Sequence, residues 1–84
     1  MQTYKAEEYQ KLIVVEVFKT NVDNDDIALQ IITALQRIFP TYRINFDLDD
    51  CDKILRVESA TGQVNTEELI SLVKEEKVNI EILE

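Results

Sequence analysis

The sequence predicts an α+β sandwich: a four-stranded antiparallel sheet with two helices on one face. Three observations predict it. Short stretches of β-branched and aromatic residues alternate with two longer stretches whose apolar residues recur at helical spacing. These stretches follow one another as strand, helix, strand, strand, helix, strand. The chain of 84 residues, 45% hydrophobic and 31% charged, can bury one small core and has no room for a second.

The first strand is expected over residues 12–18, Leu-Ile-Val-Val-Glu-Val-Phe. Both of its faces are largely apolar, which suggests a central strand. A polar loop, 19–26, supplies helix-capping types: Asp23 or Asn24 can accept from the free N–H groups of a first turn, and Asp25 and Asp26 suit the positive end of the helix dipole. The helix then runs to about Ile38, with Ile27, Ile31, Leu35 and Ile38 as its stripe and Ala28, Ile32 and Phe39 beside them. Pro40 stops it. Residues 42–48 alternate strictly, with Tyr42, Ile44, Phe46 and Leu48 on the buried face. A turn rich in aspartate leads into a return strand, 53–58, with Leu55 and Val57 inward. Asn65 and Glu68 resemble a capping box for a second helix reaching about Glu76, and Val78, Ile80 and Ile82 alternate in a last strand. This order is the ferredoxin-like βαββαβ arrangement. Right-handed crossovers place both helices on one side of the sheet, with the first and third strands in the middle. Residues 12–84 are read as this single domain and 1–11 as an N-terminal extension.

Composition excludes several chemistries. The chain has no His, one Cys and one Gly. A Ser-His-Asp triad, a Cys-His pair, a Cys-x-x-Cys motif and a Gly-rich phosphate loop are therefore all absent. No nucleophile–base pair is visible, so no enzyme is expected. Nine Lys and Arg against seventeen Asp and Glu leave a formal charge of −8, which argues against nucleic acid and anionic membrane surfaces as partners. The polar start has no signal-peptide pattern, no stretch is apolar enough to span a bilayer, and the single thiol suits a reducing compartment. A cytoplasmic location is the expectation.

The segment Phe18-Lys19-Thr20-Asn21-Val22-Asp23-Asn24 runs into a helix, and a hairpin with an acidic turn follows from Phe46 to Glu58. Over about residues 12–83 this resembles the heavy-metal-associated domain, the fold of copper chaperones and of the metal-binding modules of copper ATPases. In that family the first strand ends in Met-x-Cys-x-x-Cys. Here Asn21 and Asn24 take the places of the two cysteines. The chain is therefore similar to divergent members that lack the metal motif. The resemblance implies the ferredoxin-like fold and, because neutral amides are poor ligands for Cu(I) or Zn(II), no family-type metal site. No cofactor is expected.

Asn21 and Asn24 are thus candidate vestigial metal-loop positions, set against ordinary loop and cap chemistry. Asp49, Asp50, Cys51 and Asp52, with Asp47 nearby, form a weaker candidate for a hard cation, set against a solvated turn. Cys51 is expected to be inert, since surrounding carboxylates disfavour a thiolate. The first and second strands run parallel, which brings the Asn21 loop and the Asp49–Asp52 turn to the same end of the sheet. Val14, Phe18 and Ile54, with Leu12 and Leu83, are expected on the open face as an interface, unless Tyr4 and Tyr9 fold back over them. Glu16 and Arg56 are expected to pair on that face. The functional expectation is a non-catalytic domain for protein–protein interaction, with an unidentified protein partner or a homodimer. Its alternative is a metal-binding or metal-transfer protein using oxygen ligands and Cys51.

Overall fold

A computed structural model describes residues 13–83. The expected N-terminal extension 1–11, with Tyr4 and Tyr9, and the expected interface residue Leu12 lie outside them. The elements are β1 (Val14–Thr20), α1 (Asp25–Ile38), β2 (Arg43–Asp47), β3 (Ile54–Ser59), α2 (Thr66–Glu75) and β4 (Ile80–Ile82). The strands form one antiparallel sheet in the order β2-β3-β1-β4. Both helices pack on one side of it, α1 over the β2 flank and α2 over the β4 flank, which is the ferredoxin-like sandwich. No helix among the described residues is long and apolar enough to cross a membrane.

Register decides which side of each strand meets the helices. Phe18 stands opposite Leu55 and Ile82, Leu55 opposite Phe46, and Val57 opposite both Ile44 and Glu16. Residues directly opposed across a sheet share a face. Val14, Glu16, Phe18 and Thr20 therefore look toward the helices. Their odd-numbered neighbours Val15, Val17 and Lys19 look out. The core joins Phe18, Ile44, Leu55, Val57 and Ile80 of the sheet to Ala28, Ile31 and Leu35 of α1 and to Leu69 and Val73 of α2.

This corrects the expectation for β1. Phe18 has no exposed surface, and Val14 shares its face, so neither stands on the open side. Of the three expected interface residues only Ile54, opposite Asp47, falls there. The expected Glu16–Arg56 pair is excluded for the same reason: Glu16 opposes Val57 while Arg56 opposes Val17, so they sit on opposite faces. Arg56 instead approaches Glu58, at 3.9 Å. With apolar residues on both sides of β1, Glu16 made the even positions look solvent-facing. The volume of Phe18 outweighs that one carboxylate, which stays half-buried.

The strand also runs two residues further than expected, to Thr20, because Lys19 and Thr20 pair with Glu81 and Ile80. In α1 the buried line is Ala28, Ile31 and Leu35, while Ile27 and Ile38, expected in the stripe, are exposed. Both helices begin as their capping types predict. Asn24 Oδ1 accepts from the Ile27 N–H at 3.1 Å, and Asn65 Oδ1 accepts from the Glu68 N–H at 3.2 Å while Asn65 Nδ2 donates to Glu68 Oε1. The connection from α1 to β2 is held by Gln36, whose Nε2 donates to the carbonyls of Phe39 and Tyr42, and by stacking of the Phe39 and Tyr42 rings at 4.6 Å.

Candidate functional site

The loop after β1 and the β2–β3 turn do meet at one end of the sheet. Thr20 joins them: its N–H donates to the Asp52 carbonyl at 3.1 Å and its Oγ1 to the Lys53 carbonyl at 2.6 Å, while the same oxygen accepts from the Val22 N–H. Lys19 Nζ lies 4.0 Å from Asp52 Oδ1 across the same junction. A loop tied this way presents fixed positions, and the side chains at those positions decide what chemistry it can do.

The amide oxygen of each asparagine holds a backbone N–H. Asn21 Oδ1 accepts from the Asn79 N–H at 3.0 Å and so pins the loop to the segment leading into β4. Asn24 Oδ1 is spent on the cap of α1. Both amide oxygens satisfy backbone N–H groups that have no partner within a helix or sheet. The residues present do not fit the thiolate-seeking metal that the family resemblance would bring.

The turn itself is built by its aspartates. Asp47 Oδ1 accepts from the Asp49 N–H at 3.2 Å, and Asp50 Oδ1 accepts from the Asp52 N–H at 2.8 Å. These are Asx turns, in which a short carboxylate replaces a backbone acceptor. Lys53 takes the left-handed conformation, φ 47°, that closes the turn, and its Nζ donates to the Leu48 carbonyl. The arrangement brings Asp50, Cys51 and Asp52 together, with one ligand atom of each within 4.8 Å of the others. Asp49 is turned away from this group and lines a groove beside α1. Cys51 is an exposed free thiol.

The open face of the sheet has a different character. Ile13, Val15 and Val17 continue outward along β1. Leu83 is placed beside Val17 by the bond from its N–H to the Val17 carbonyl at 2.9 Å, and Ile54 lies on β3. Ile13, Val15 and Leu83 are 58%, 37% and 38% exposed, whereas Phe18, Leu55 and Val57 on the opposite face have no exposed surface. Around them stand three cations, Lys19, Arg43 and Arg56, and three anions, Asp47, Glu58 and Glu81. Arg43 and Arg56 each approach Glu58 at 3.9 Å. The face is thus charge-balanced on a chain whose formal charge is −8.

Sequence reasoning placed Ile54 and Leu83 on this face but missed Val15 and Val17, since period two fixes which residues share a face and not which face is covered. It also missed a groove between α1 and the edge strand β2. The available signal was Leu29, a large apolar residue off the buried line of α1 and 63% exposed. Comparison with protein-family models, with curated proteins and with solved structures finds no match.

Proposed function

We propose that this chain is a non-catalytic protein-interaction domain, related in architecture to heavy-metal-associated domains and without their metal chemistry. The observation that carries the reading is the open sheet face: an apolar strip, Ile13, Val15, Val17 and Leu83, bordered by balanced charges on an otherwise acidic chain. A surface built only for solubility has no need to gather apolar side chains on the sheet face that no described element covers, or to cancel charge there. A second copy is the simplest occupant. Two such faces can place Lys19, Arg43 and Arg56 of one against Asp47, Glu58 and Glu81 of the other.

Sedimentation velocity at low and moderate salt tests it on wild type, Val15→Glu and Val17→Glu. Like-charged chains repel at long range, so screening strengthens a face-to-face dimer. The expected result is association that grows with salt and is lost in both variants. Association unchanged in both variants removes the open face from the reading. If wild type is monomeric throughout, the face serves a different protein, and the variants must then lose a partner that wild type retains.

A further inference from the structure

The groove between α1 and β2 carries an inference that is independent of the open face. The sheet order leaves β2 at an edge. Its hydrogen-bonding phase follows from the far side of the sheet. The Leu83 N–H donates to the Val17 carbonyl, so odd residues of β1 bond to β4 and even ones to β3. Odd residues of β3 then bond to β1 and even ones to β2, which uses Arg43, Asn45 and Asp47. The N–H and C=O groups of Ile44 and Phe46 therefore point away from the described sheet. Phe46 borders a groove of about 530 Å³ whose other wall is α1, and Ile44 precedes it along the same edge. Leu29 and Ile32 of α1 and Phe46 and Leu48 of the β2 side give it apolar walls.

The rim has one sign. Asp25 at the start of α1 faces Asp47 and Asp49 across the groove, and no Lys or Arg among the described residues lines it. An outward-turned backbone edge beside an apolar groove suits an extended chain, which can supply main-chain partners to Ile44 and Phe46 and drop alternate side chains against α1. A helix has no spare main-chain groups to offer. The acidic rim selects further. It repels a second copy of this chain, which is itself acidic, and attracts an extended segment bearing Lys or Arg. We infer that the α1–β2 groove is a strand-addition site for an extended peptide of alternating apolar and basic residues from a partner protein.

The probe is a short, end-blocked peptide of alternating valine and lysine, titrated into the full chain and followed by amide NMR. The expected shifts concentrate at Ile44 and Phe46 and along Leu29 and Ile32. Methylating the peptide nitrogens that would bond to β2 should weaken binding about tenfold or more, since it removes donors while keeping charge and side chains. Asp49→Lys should weaken it measurably, and Leu29→Asn, at an exposed position, should weaken it without unfolding the chain. Three results overturn the inference. One is equal binding of the methylated peptide with shifts spread over the acidic surface, which would show charge attraction alone. Another is shifts centred on Val15 and Val17. The third is no shift at millimolar peptide. Sedimentation of the open-face variants is unaffected by any of these, so this site and the open face fail separately.

Discussion

The two faces of β1 differ little in composition and entirely in use. Toward the helices go Val14, Glu16, Phe18 and Thr20; away from them go Val15, Val17 and Lys19. Each set holds two apolar side chains. The face with the carboxylate is the one that became core, and the face with two adjacent valines is the one left open. What separates them is size and partnership. Phe18 is fully buried in the cluster that joins the sheet to both helices, and the Thr20 hydroxyl satisfies a carbonyl and an N–H at the only polar position of β1 that is buried. Val15 and Val17 suit a pleated surface, and they suit it as well when exposed.

The largest expected effect separates neighbours. Phe18→Ala should lower stability by about 3–5 kcal/mol through the cavity it leaves, while Val17→Ala, one residue away, should cost no more than about 1 kcal/mol. Urea titrations of the two variants check this. A Val17 loss as large as that of Phe18 would mean that the open face is covered.

Next comes Thr20→Val, which keeps the shape and β-branching but leaves the Lys53 carbonyl and the Val22 N–H without their partner. The expected loss is about 1–3 kcal/mol, with faster amide exchange in the Val22 loop and the Asp50–Lys53 turn together. Exchange that quickens in one of these segments only would break the claim that Thr20 couples them.

The smallest effect belongs to the open face. Arg43→Gln removes a cation from an exposed pair with Glu58, worth about 0.2–1 kcal/mol, and should leave the thermal midpoint nearly unchanged. If the face is an interface, the same variant should weaken association by more than it weakens folding. Thermal melts and sedimentation on one preparation compare the two.

The positions of the candidate residues were only partly legible in the sequence. The meeting of the Asn21 loop and the Asp49–Asp52 turn followed from chain direction alone: strands joined by a helical crossover run parallel, so their ends coincide. What Asn21 does there could not be read, because its partner is the N–H of Asn79, which lies 58 residues along the chain. The split of the aspartate cluster was hidden as well. Asp50 and Asp52 stay with Cys51 while Asp49 lines the groove beside α1.

By itself the sequence determined the elements, their order and the class of fold, because these rest on local facts. Asn24 and Asn65 sit one residue before helical periodicity begins, and residues 42–48 alternate without a break. It also determined that these 84 residues hold no His and a single Cys, so they contain no Cys-x-x-Cys and no Cys-His pair. Only the tertiary structure decided which side of β1 is covered, which edge of the sheet is left beside an apolar groove, and where the acidic rim falls. The reason is that a strand's period of two defines a pair of faces without ranking them. Ranking them requires the volumes and hydrogen-bonding partners that α1, α2 and the neighbouring strands bring from elsewhere in the chain.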